Sequence, residues 1–590
     1  MVSEFAPGVR KRRMITRIGL AFGAVAVIGT AVAYNTLFVR PGEDALQLVP
    51  GNALMVGSLD LSPSPTQTLV FKQIDDALSR NGLDKQIDSA LTDLVTQGST
   101  ADKIRAYAKR GAAFAMLPTE KTGEAFNPGD SAVAFFPVSD GPAVAKILST
   151  EGKPAFFRGT RYRQMPGEGP GIMVVNDFLV VGMGPVLHQV EQVVENKQGS
   201  ILENPEFVAE RAKIDADSNL MVFIAPKAWE AFSADAPKEA KEFMVNQKWM
   251  AMGVAIRDGG IALSFNGEYD ATKAKWLQPF SSMKPLRDDL LSVLPEGAYG
   301  FTALSQPSKY FESFELAATM EPDGKKMISE MERELGKETN LSLRQDVLPA
   351  FEGNAVIGFY PNTGASSAEG ADILLLVDDQ NGAKAALLAE RVRERLEQEI
   401  AEGNDESPFE MTEVNGIKRY TLAGEASAEL QDSLSESMAS DGTVKAGVMS
   451  KDKTITWALV GQTVVASSNA KLMDKAIASL QSKQASLEND PLWKGKTNLL
   501  VKDQQVLLAF NVARIVEGVE NSIDMKKVSK DDQTPQEVAN ILKGLKEPFY
   551  IKTATSNGRS SLGLFIPMEY DKMIDLIGKN MNKTPDTLVR

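Results

Sequence analysis

His188 is the one imidazole in the chain, and no cysteine accompanies it. Acid–base catalysis near neutral pH, tight metal ligation and nucleophile activation draw heavily on these two residue types. Disulfides, thiolate or multi-histidine metal sites and a cysteine nucleophile are therefore excluded, and a Ser-His-Asp triad has a single base available. His188 follows Pro185 in a segment whose apolar stripe is Val186, Val190, Val193 and Val194. It falls with Glu191, Gln192 and Glu195 on the polar side, which predicts an exposed helix surface rather than a general base.

Oxygen-rich candidates fare no better. Asp215-Ala216-Asp217-Ser218-Asn219 opens like a calcium loop, but Leu220 and Pro226 stand where the loop needs Gly and Glu, so a turn is expected. Glu268/Asp270 and Glu569/Asp571 each place two carboxylates on one face of an extended strand, a pairing that can move protons or bind a divalent cation. Their recurrence at the same structural position favours an architectural role. Ser450-Lys451-Asp452-Lys453 has S-x-x-K spacing without the accompanying motifs of penicillin-recognising enzymes. Lys153, Arg158, Arg161 and Arg163 could meet an anionic partner, but beside Tyr162 they read as a solvated sheet face. No catalytic, cofactor-binding or metal-ligating residue is assigned, and no cofactor is expected.

The first 40 residues differ from the rest. Arg10, Lys11, Arg12, Arg13 and Arg17 precede an uncharged stretch, Ile18 to Val39, closed by Arg40 and Pro41. Twenty-two residues at 1.5 Å each reach about 33 Å, a bilayer's hydrocarbon thickness. Basic residues on the near side predict a cytoplasmic N-terminus and an exported remainder. Ala31-Val32-Ala33 offers the alternative of a cleaved signal peptide. Residues 41–590 hold 58 Lys/Arg against 77 Asp/Glu, a net of −19. Such an acidic body is a poor partner for nucleic acid or anionic lipid.

Beyond residue 45 the sequence repeats itself. LQLVPGNALMVGSLDLS from Leu46 parallels LSVLPEGAYGFTALSQPS from Leu291, and GAAFAMLP from Gly111 parallels GNAVIGFYP from Gly353. Asn176 to Phe207 matches Val460 to Trp493, each ending in Leu-Glu-Asn and a proline followed by an aromatic residue. Hairpins turning at Asp258-Gly259 and Asn557-Gly558 both finish in Glu-Tyr-Asp. The offset grows from 245 at Pro50/Pro295 to 286 at Pro205/Pro491 and 301 at Tyr269/Tyr570, so the second copy is 56 residues longer.

Short apolar runs alternate with helical spacings such as Ile74, Ala77, Leu78 and Ile87, Ala90, Leu91, Leu94. Ser99-Thr100-Ala101-Asp102 resembles a capping box opening a further helix. Strands joined by tight turns favour an α+β fold: an N-terminal single transmembrane helix, then two tandem copies of a mixed or antiparallel sheet with helices. The expected divisions are a basic cytoplasmic tip (1–17), the anchor (18–39), a linker (40–45), repeat 1 (46–270), a connecting segment (271–289), repeat 2 (290–571) and a C-terminal tail (572–590).

The N-terminal stretch, the strand after Val49-Pro50, the strand-turn-helix leading to Ser-Ile-Leu-Glu-Asn-Pro-Glu-Phe, and the closing hairpin resemble domain-of-unknown-function family 3352 over about residues 46–571. The resemblance implies an uncharacterised bacterial envelope protein and supplies no catalytic residues. The expectation is a single-pass, membrane-anchored, extracytoplasmic binding or scaffold protein without enzymatic activity, anchored in the cytoplasmic membrane through 18–39. It would meet a protein partner in the envelope and no nucleic acid. A carrier or receptor for an apolar small ligand is the alternative, and a hydrolase with an unrecognised carboxylate site is a second.

Overall fold

In a computed structural model, residues 41–581 are described apart from interruptions, of which the longest are 84–106, 423–453 and 523–533. The proposed anchor (18–39), the helix spacing from Ile87, the Ser99 capping box and Ser450 to Lys453 lie outside the described residues. The chain separates into two compact units, one reaching to Asp270 and resuming at Met568, the other Ala271–Pro567.

The first unit is a ten-stranded sheet: β1 Met55–Asp60, β2 Gly111–Met116, β3 Ala132–Pro137, β4 Lys153–Phe157, β5 Thr160–Gln164, β6 Gly171–Val175, β7 Phe178–Gly182, β8 Leu220–Ile224, β9 Gln247–Arg257 and β10 Gly260–Tyr269. Its order is 4-5-6-7-3-2-1-8-9-10. The second unit contains β11 Gly300–Ser305, β12 Asn354–Tyr360, β13 Asp372–Asp378, β14 Phe409–Val414, β15 Ile417–Leu422, β16 Ile455–Val460, β17 Thr463–Ser467, β18 Val506–Phe510, β19 Phe549–Ser556 and β20 Arg559–Pro567. Its order is 14-15-16-17-13-12-11-18-19-20. Every strand of the first sheet has its counterpart ten places on.

One part of the expected fold class is narrowed and another corrected. Each of these pairings is antiparallel, the second of the two expected alternatives, and the hairpins closed by two-residue turns could pair no other way. Among the described residues, no helix is long and apolar enough to cross a membrane. The architecture is α+β with extensive antiparallel sheet.

The helices that matter below are α1 Thr68–Arg80, α2 Gly141–Leu148, α3 Gly184–Val194, α4 Lys384–Ala401, α5 Ala470–Ser482 and α6 Tyr570–Met581. The last covers part of the expected tail. It packs on α1, where Asn81 Nδ2 donates to Asp575 Oδ1 at 2.7 Å and Arg80 pairs with the same carboxylate.

Equivalent positions fill equivalent cores. Leu46, Val49 and Val56 of the first unit, and Leu291, Leu294 and Phe301 of the second, are all fully buried. So are Ile201 and Phe207 against Leu487 and Trp493. Phe207 meets Phe223 edge-on at 4.6 Å between ring centroids, while Trp493 meets Phe301 at 5.0 Å. The proline-plus-aromatic motif is thus the plug of each core. Gly57 of β1 lies beneath the Phe114 ring, which a Cβ would approach to 2.1 Å, so only glycine fits there.

Buried amides also recur. Asn219 Oδ1 accepts from Ile256 N at 2.9 Å, and Gln505 Oε1 accepts from Thr555 N at 2.8 Å. Each satisfies backbone groups where the eighth strand of its repeat begins to pair with the ninth.

Candidate functional site

α3 and the β4–β5 hairpin converge on the only histidine. Pro185 starts α3, and Val186, Leu187, Val190 and Val193 bury its inner face, whereas Val194 is exposed. The apolar stripe thus runs through Leu187 rather than Val194, one position round from its expected course. This rotation carries His188 off the solvent face. It is half-buried, with its ring edge-on to Phe157 at 6.0 Å.

Thr160, fully buried at the start of β5, has its hydroxyl 2.7 Å from His188 Nδ1 and also donates to the Glu191 carboxylate. The hydroxyl has one proton and the carboxylate only accepts, so Nδ1 must carry hydrogen toward Thr160. Nε2 of the neutral ring is left as an acceptor.

Beside this group is a cavity of about 750 Å³, lined by Asn52, Pro118, Thr119, Asp130, Phe157, Arg158, Met183, Pro185, His188, Gln189 and Gln198. Side-chain amides tie its rim together: Gln198 Nε2 donates to Asn52 Oδ1 at 2.9 Å, and Gln189 Nε2 donates to the Pro118 carbonyl at 2.9 Å. Arg158 contributes a cation that also lies over the Phe157 ring at 5.5 Å. Its φ of +48° places it in the left-handed region, where a long side chain costs free energy. At the matching hairpin turn of the second unit stands Asn415, φ +52°, a residue suited to that conformation.

The second unit does not repeat the site. Asp474 occupies the place of His188 and accepts from Arg419 at 2.5 Å. The scaffold is duplicated and this polar group is not.

A second cavity, about 240 Å³, lies in the second unit between α4 and the outer face of β13, β15, β16 and β17. Its walls are alanine, leucine, isoleucine, valine, phenylalanine and tryptophan side chains.

The other sequence candidates are engaged in the scaffold. Arg257 bridges Asp215 and Asp217, neutralising the calcium-like pair. Glu268 pairs with Lys248 across β9–β10 at 2.8 Å, which raises the lysine's pKa, and Glu569 pairs with Lys572. Arg163 Nε donates to the Leu148 carbonyl at 3.2 Å, while Lys153 and Arg161 are exposed. Of that basic group, Arg158 alone lines the cavity. Among the described residues, no cluster of three or more His, Cys, Asp or Glu side chains is placed to hold a metal ion.

Sequence reasoning singled out His188 and Arg158 separately and missed Thr160, Asn52, Gln189 and Gln198. Helical spacing shows which residues share a face but not which hydroxyl a facing strand presents to it.

No curated protein matches the chain. Among solved structures, crystal form I of TP0453 shares 11% identity over 38% of this chain and 79% of its own, at a TM-score of 0.23. Crystal form III shares 11% over 41% and 88%, at 0.22. The family described as protein of unknown function (DUF3352) matches residues 15–406, the majority of the sequence. The chain belongs to that family.

Proposed function

We propose that this is a non-enzymatic, extracytoplasmic binding or scaffold protein of the bacterial envelope, and that the cavity beside His188 is its recognition site. The observation that carries this reading is the coupling of a 750 Å³ cavity to a hydrogen-bonded Thr160–His188–Glu191 group that the duplicate lacks. Concave sites with a few fixed polar groups are the usual form of recognition surface. Export is supported by the basic cluster ahead of the uncharged Ile18 to Val39 stretch and by the acidic remainder. A photo-crosslinking residue at position 198, on the cavity rim, is expected to capture a defined envelope component in living cells. The same group at the exposed Lys326 should not, and equal capture from both positions would refute the reading.

A second reading, a carrier for an apolar small ligand, is favoured by the wholly apolar cavity of the second unit. It assigns the two repeats different ligands on one scaffold.

A further inference from the structure

The outer face of the sheet is finished differently in the two repeats. In the first, Phe136 of β3 pairs directly with Leu179 of β7, and both are buried beneath Val144 and Leu148 of α2. In the second, the equivalent cross-strand pair is Val377 and Val464. Two larger side chains have been replaced by two valines, and Val464 is only half-buried. The covering helix has meanwhile lengthened from eight residues in α2 to eighteen in α4. Smaller walls under a longer roof leave the 240 Å³ cavity.

Its shape follows from the helix. Ala385, Ala389 and Val392 line it from successive turns of α4, so it extends over seven residue steps, about 10 Å at 1.5 Å per step. A volume of 240 Å³ over that length leaves a cross-section of roughly 24 Å². With carbon-to-carbon contacts near 4 Å, that is the scale of a single methylene chain laid along the helix. At about 30 Å³ per water-sized group, it holds about eight such groups. Among the described residues, its hydrocarbon walls include no ionisable side chain.

We infer that this slot binds one unbranched aliphatic chain, about eight carbons of it, with the polar end left at the mouth. The inference rests on the carrier reading and names its site and ligand class.

The test uses the full chain and N-decyl dansylamide, whose free alkyl end can enter while the dansyl group stays at the mouth, displaced by straight-chain carboxylates from six to fourteen carbons and by adamantane-1-carboxylate. Affinity should rise about fourfold per added methylene until the slot is full, then level off. The cage compound should displace at least tenfold less well than decanoate. Ala466→Phe and Ala389→Leu, which fill the slot from the sheet and from the helix, should each weaken the probe at least tenfold with an unchanged melting temperature. The two variants come from different walls, so a folding defect in one leaves the other to decide. If the cage displaces as well as decanoate, the chain-shaped slot is wrong while the carrier reading survives. Binding that neither variant weakens places the site elsewhere, and no saturable binding by any probe removes both.

Discussion

His188 Nδ1 lies 2.7 Å from the Thr160 hydroxyl, and that hydroxyl also serves the Glu191 carboxylate, so the imidazole is held as its Nδ1–H tautomer. Replacing Thr160 by valine keeps the shape and removes the link. In the 15N spectrum of the ring, the neutral imidazole of Thr160→Val is expected to shift toward the Nε2–H form. Loss of the buried hydrogen bonds should cost about 1–2 kcal/mol in denaturant unfolding. An unchanged tautomer ratio would mean that Thr160 does not orient the ring.

Arg158 holds a left-handed conformation that its counterpart Asn415 adopts more readily. Arg158→Asn should therefore stabilise the protein by about 0.5–1 kcal/mol, read as a higher urea midpoint at unchanged slope. The same variant should lose crosslinking from position 198. Gaining stability while losing capture is the signature of strain kept for binding; a variant that is merely neutral in both assays contradicts it.

Asp490 ties the second unit together. Its carboxylate, 1% exposed, accepts from both terminal nitrogens of Arg514 at 2.7 and 2.9 Å and from Gly297 N at 3.0 Å. Asp490→Ala strands a partly buried guanidinium and should cost about 3–5 kcal/mol. Asn204, at the matching place in the first unit, only caps the helix that begins at Pro205, accepting from Glu206 N and Phe207 N. Asn204→Ala should cost about 1 kcal/mol. Calorimetry of the two variants would check the contrast, and equal losses would count against it.

Much of this architecture is legible in the sequence because the duplication doubles every signal. The hairpins expected to turn at Asp258-Gly259 and Asn557-Gly558 form there, joining β9 to β10 and β19 to β20. The offset of 286 at Pro205/Pro491 does not hold through the whole match that begins at Asn176, however. Val465 packs in the inner core as Val180 does, an offset of 285, and the extra residue is taken up before α5. Side chains alternate across a sheet, so a one-residue slip exchanges its faces, and apolar residues on both faces hide the slip. The cavities were invisible for another reason: they depend on Thr160 meeting His188 and on Val377 meeting Val464, contacts between segments far apart in the chain.

Tyr310 carries an alkaline signature. Its ring is edge-on to Phe280 at 5.1 Å, and burial pushes its hydroxyl up to about 12. Because the unfolded phenol titrates near 10, stability from the buried neutral form is complete below pH 10 and is lost as pH rises through 12. Tyr310→Phe should flatten the fall in melting temperature between pH 10 and 12. Part of the fall will remain, since burial also raises Tyr360. A wild-type slope in Tyr310→Phe would show that the phenol titrates as if exposed.

A protein with one histidine gives one imidazole spectrum, and that histidine lines the proposed recognition site. Full chain labelled with 15N in His188 can be observed alone and with the soluble envelope fraction of the cells that make it. The account predicts an Nδ1–H tautomer in the free protein and a displaced Nε2 resonance when the fraction is added, with the displacement lost in Arg158→Asn. An Nε2 resonance that stays fixed at saturating envelope fraction would contradict recognition at this cavity.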